Sequence, residues 1–115
     1  MSKQEKIAEI NTAIQKNKEK SDTYRQYLSD LLREEQSFYT ESQHRLEEIW
    51  RLSELVGGNS LAKIQSEALT TLENQQRIVK QALRDELGQI NENLRRLDSE
   101  RDDLSYTKRK IEEEK

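Results

Sequence analysis

Leu55-Val56-Gly57-Gly58-Asn59-Ser60 is the one strong break in a chain of 115 residues. Proline is absent, and the only glycine outside this stretch is Gly88. Gly57 or Gly58 supplies the left-handed residue that ends a helix, because glycine has no Cβ to clash. Asn59 or Ser60 accepts hydrogen bonds from the first free N–H groups of a following helix. About four residues suffice to reverse direction between antiparallel helices. The expected fold is all-α: one antiparallel two-helix hairpin, coiled-coil-like, spanning 1–115. Helix 1 is placed at about 3–56, the turn at Gly57, Gly58 and Asn59, and helix 2 at about 60–113.

Composition supports helices over disorder. Apolar residues make up 31% and charged residues 37%, against about 45–50% and about 25% in an ordinary globular domain. Such polarity fits a disordered chain, but the lack of proline and the regular spacing of the apolar residues oppose that reading. Richness in Glu, Lys, Gln, Arg and Leu at helical spacing reads as coiled coil. The net charge of −3 comes from interleaved signs, so no basic footprint for nucleic acid is expected. No apolar run is long enough to insert into a bilayer, and Met1-Ser2-Lys3-Gln4-Glu5-Lys6 leads into no signal-peptide core. A cytoplasmic location follows as the expectation, with co-export by a route needing no cleavable signal left open. Without cysteine there are no disulfides and no thiolate chemistry.

Ser2-Lys3-Gln4-Glu5 fits a capping box, so helix 1 should begin almost at once. Ile7, Ile14, Leu28, Ile49 and Val56 fall on one heptad position, and Ile10, Tyr24, Leu31, Phe38 and Leu52 on its companion. Asn17, Ser21, Glu35, Ser42 and Arg45 interrupt this seam. They are read either as polar seam residues that fix register or as places where the helix rotates. Residues 17–23 look like the weakest helical part and the place most open to a bend or fraying, yet one continuous helix of roughly 50 residues is expected. At about 1.5 Å rise per residue, helix 1 should be about 75–80 Å long.

In helix 2, Leu61, Leu72, Leu83 and Leu94 recur every 11 residues, as do Ala68, Val79 and Ile90. This rhythm of about 3.67 residues per turn favours a straight or slightly right-handed course. From Leu83 a heptad line of Ile90, Leu97, Leu104 and Ile111 takes over. Its companion runs Leu87, Leu94, Arg101, Lys108, so the far end is expected to fray. Folding at 57–59 pairs residues whose numbers total roughly 116. Gly88 then lies opposite Tyr27-Leu28, either making room for a ring or a partner helix or as a neutral surface residue.

Chemistry-bearing candidates are few. Glu41-Ser42-Gln43-His44 has the Glu-x-x-His spacing of di-iron bundles, but His44 is the only histidine and both residues fall beside or away from the seam. Glu34, Glu41 and Glu48 line one edge, and Lys108-Arg109-Lys110 is too short and too near Glu112-Glu113-Glu114 to hold nucleic acid. No enzyme activity, metal or cofactor is expected.

Helix 1 carries more apolar surface than one seam needs. Leu32, Tyr39 and Leu46 form a second line at heptad spacing, flanked by Tyr27 and Trp50, and Tyr24 adds to the width. A hairpin buries one face of each helix, so Tyr24, Tyr27, Leu32, Tyr39, Leu46 and Trp50 are the expected partner-binding residues. A lone hairpin also has no closed core, and a four-helix bundle with a partner protein or a second copy would supply one.

This hairpin of two long helices about a glycine turn resembles the Trp-x-Gly helical hairpin proteins of type VII secretion. Trp50 lies seven residues before Gly57 and not in the turn, and Tyr106-Thr107-Lys108-Arg109-Lys110 has lysine where the export signal has an acid. The sequence is more similar to the small helical accessory proteins of LXG toxins in type VIIb systems, one class of which lacks both motifs. That resemblance implies an adaptor, targeting factor or chaperone that binds the helical N-terminal domain of a toxin. A self-pairing structural coiled coil is the main alternative. A holdase like the prefoldin beta subunit ranks last, because the six residues at the turn leave no room for its β-hairpins.

Overall fold

Ser2 starts the first helix as its spacing to Glu5 predicts. Its Oγ accepts the Glu5 N–H at 3.1 Å, and its carbonyl accepts the Lys6 N–H at 3.1 Å. From there a computed structural model of the chain shows α1 at Lys3–Leu55 and α2 at Asn59–Glu113, 53 and 55 residues long. It describes residues 2–55 and 59–114, with 59–61 as backbone only. The expected helix stop at Gly57-Gly58, with Val56 on the seam, lies outside the described residues. Asn59, assigned to the turn, is the first residue of α2. The fold is the expected all-α antiparallel hairpin. Among the described residues no helix is long and apolar enough to cross a membrane.

The two helices form two compact units, residues 1–29 with 87–115 and residues 30–86. In unit 1 the less exposed positions follow heptads on both helices. On α1 they include Ile7, Ile10, Ile14, Asn17, Ser21, Tyr24 and Leu28, and on α2 Leu87, Ile90, Leu94, Leu97, Arg101, Leu104, Lys108 and Ile111, with Ala13, Asn93 and Ser105 beside them. Unit 1 therefore has the 3.5-residue rhythm of a left-handed coiled coil. Partners across its seam, Asn17 with Leu97 and Lys3 with Glu112 and Glu114, match the expected pairing.

Residues 17–23 continue the expected single helix, and the polar Asn17 and Ser21 among them are buried. Ser21 is 0% exposed, Asn17 2% and Ile90 2%. Asn17 Nδ2 donates to the Leu97 carbonyl at 2.8 Å across the seam. Size decides here: short side chains admit the facing helix, and one amide reaches its backbone. Asn17 Oδ1 and Ser21 Oγ are buried without a partner, a desolvation cost that a register-fixing amide is known to carry.

The far end of unit 1 is tied down where fraying was expected. Arg101 and Lys108 keep partly buried side chains, at 26% and 33% exposure, and pair with Asp98 and Glu112 on their own helix. Lys3 Nζ donates to the Glu112 and Glu114 carbonyls at 3.0 and 2.6 Å. A cation there satisfies free carbonyls and opposes the negative end of the α2 dipole.

Unit 2 follows a different rhythm. Its less exposed positions on α1 include, after Asp30, Leu31, Glu35, Phe38, Ser42, Leu46, Ile49 and Ser53, stepping by four, three and four. Those on α2 include Gln65, Ala68, Leu72, Gln76, Val79 and Leu83. Both helices thus repeat every 11 residues here, the near-straight or right-handed regime. This corrects the single heptad seam read along helix 1. Leu52 is 59% exposed and Arg45 is exposed, while Leu46 and Ser53 take the interior positions. Ser42 is a true polar seam residue at 3% exposure, whereas Arg45 marks the change of rhythm.

Candidate partner-binding surface

Among the described residues, seven of the nine exposed large apolar side chains lie in unit 2: Leu32, Tyr39, Trp50, Leu52, Leu55, Ile64 and Ile78. Tyr27 and Tyr106 belong to unit 1. Of the six residues expected to bind a partner, Tyr27, Leu32, Tyr39 and Trp50 are 46%, 50%, 40% and 54% exposed. Tyr24 and Leu46 are half-buried. Tyr24 lines an open groove of unit 1 with Leu97, Asn93 and Lys20. Leu46 faces inward because the 11-residue rhythm turns it there.

The exposed members belong to a longer stripe. Leu32, Gln36, Tyr39, Gln43, Leu46 and Trp50 are spaced by four, three, four, three and four. That is the spacing of a second heptad seam, and it carries no charge in a chain that is 37% charged. Gln36, Tyr39 and Gln43 line one shallow depression with Thr40, His44 and Glu47. The Phe38 and Tyr39 rings stand 6.3 Å apart and tilted by 60°, which ties the exposed tyrosine to an inner residue.

The opposite face of unit 2 has a groove between the helices. Ile49, Leu52, Ile64 and Ala68 line its apolar end, and Arg45, Glu48, Thr71 and Gln75 continue it. Leu52 and Ile64 were not among the expected binding residues, because a strict heptad on helix 1 makes Leu52 an inner residue. The 11-residue rhythm of helix 2 was the available signal, since facing helices must share one.

His44 is 72% exposed, with Nδ1 4.0 Å from Glu47 Oε2. Among the described residues no group of three His, Cys, Asp or Glu could hold a metal ion. Glu34, Glu41 and Glu48 are exposed. The pairs Arg25–Asp22, Arg33–Asp30, Arg96–Glu92 and Lys108–Glu112 each stay within one helix, where such pairs are worth about 0.3–0.5 kcal/mol. A Cβ placed on exposed Gly88 would meet nothing within 4 Å, so Gly88 makes room for no ring of its own chain. No protein-family model, curated protein or solved structure matches the chain.

Proposed function

We propose that this chain is a non-enzymatic helical adaptor that completes a helical bundle with another protein, and that unit 2 is the part that binds. The observation carrying this reading is the concentration of exposed apolar side chains there, in two separate places on one unit. Large contiguous apolar surface on a soluble helical scaffold marks an interaction site. An amphipathic helix laid against it would be read at positions three and four apart. The resemblance to LXG-toxin accessory proteins gives the partner a chemistry: the helical N-terminal domain of a secreted toxin, bound as a targeting factor or chaperone for type VII export.

The test is a tagged pull-down from the native host with mass spectrometry of what co-elutes in stoichiometric yield. A long chain with a helical N-terminal domain is the expected catch. Leu52→Glu with Ile64→Glu, or Leu32→Glu with Trp50→Glu, should abolish capture by the face it disables while leaving circular dichroism unchanged. Capture that survives both double variants would overturn the assignment to unit 2. A self-pairing structural coiled coil is the second reading, and the uncharged stripe on α1 favours it.

A further inference from the structure

We infer that a second copy of this chain packs on the α1 stripe of unit 2, antiparallel and through a two-fold axis, leaving the groove face free. This rests on and deepens the self-pairing reading, and it does not require the adaptor reading. The first observation is the stripe itself. Its centre lies between Tyr39 and Gln43, so an antiparallel copy aligns all six positions. Leu32 meets Trp50 of the second copy, Gln36 meets its Leu46, and Tyr39 meets its Gln43. Five of its six residues are exposed, Leu46 alone being shared with the interior of unit 2, and the stripe has the spacing that another such seam requires.

The second observation is charge. The outer flank of the stripe reads Arg33, Thr40, Glu47, Glu54, basic at one end and acidic at the other. Antiparallel pairing sets Arg33 beside Glu47 of the second copy, twice over, with Glu54 about a turn and a half further along. Parallel pairing would set like beside like, which is unfavourable. The groove residues place Arg45, Ile49 and Leu52 of α1 with Ala68, Thr71 and Gln75 of α2 on one side of the unit. The same helical geometry then puts Glu73, Arg77 and Lys80 of α2 on the other side, beside the stripe. The same two-fold axis brings Glu73 near Arg77 and Lys80 of the second copy. Both helices are therefore complementary to themselves about one axis, which is the requirement of an isologous interface.

Sedimentation equilibrium of the isolated chain tests this. The expected mass is twice the 13.7 kDa of one chain. Gln43→Arg sets like charges at the centre of the interface on an exposed residue outside the hairpin core, so the dimer should dissociate with helicity retained. Arg33→Glu should weaken association several-fold, and adding Glu47→Arg and Glu54→Arg to the same chain should restore it. Mixing a Tyr39→Cys chain with a Gln43→Cys chain should give mainly the mixed disulfide, since the natural chain has no cysteine. A chain that stays monomeric at every concentration, a Gln43→Arg dimer, or a charge swap that fails to rescue would overturn the inference. None of these outcomes decides the adaptor reading, which the pull-down tests by itself.

Discussion

Ser21 and Gly88 show how a single residue departs from its usual cost. Ser21 is fully buried, and its hydroxyl has no partner. Ser21→Ala removes a desolvated polar atom and improves helix propensity, so stability should rise by about 1 kcal/mol. Ser21→Leu should instead cost about 1–3 kcal/mol through overpacking. Urea unfolding followed by circular dichroism, at fixed protein concentration, distinguishes the two. Gly88 is exposed, with open space where its side chain would stand. Gly88→Ala should therefore stabilise by about 0.5–1 kcal/mol in the same assay. A loss of stability would mean that something approaches Gly88 from outside the chain.

The helices themselves were largely legible in the sequence. Two helices, the capping serine and the pairing follow from punctuation and periodicity, and so does the 11-residue rhythm of α2. The inner face of α1 in unit 2 was not legible. Two apolar stripes lie side by side there, and Leu46 fits either, so counting apolar residues cannot tell which stripe faces α2. Polarity misled at Asn17 and Ser21 for another reason. A seam between close helices selects for small size, which a hydropathy pattern does not record. The corrected assignment predicts opposite responses from two leucines six residues apart. Leu46→Lys should cost several kcal/mol, as for an inner residue made charged. Leu52→Lys should change stability by less than about 0.5 kcal/mol, as for a surface site. Thermal unfolding of the two single variants checks this, and equal costs would contradict the 11-residue register in α1.

At the scale of the whole molecule, division of labour follows the change of rhythm. Unit 1 packs by heptads, buries its polar seam residues and has most of its apolar side chains turned inward. Unit 2 packs by 11-residue repeats and displays most of the exposed apolar side chains, and the adaptor reading and the inferred self-pairing both fall on it. This partition was not legible in the sequence, because exposure depends on the register between the helices. The ammonium of Lys3 on the last carbonyls of α2 has a consequence of its own. It sets the first and last turns of the chain side by side, so the order of the two helices is not fixed by the fold. A short glycine–serine bridge from Glu114 to Ser2, with new ends cut between Gly57 and Gly58, should give a circular permutant with the same helical content and unfolding midpoint within a few degrees. The two arms would then be interchangeable halves of one hairpin.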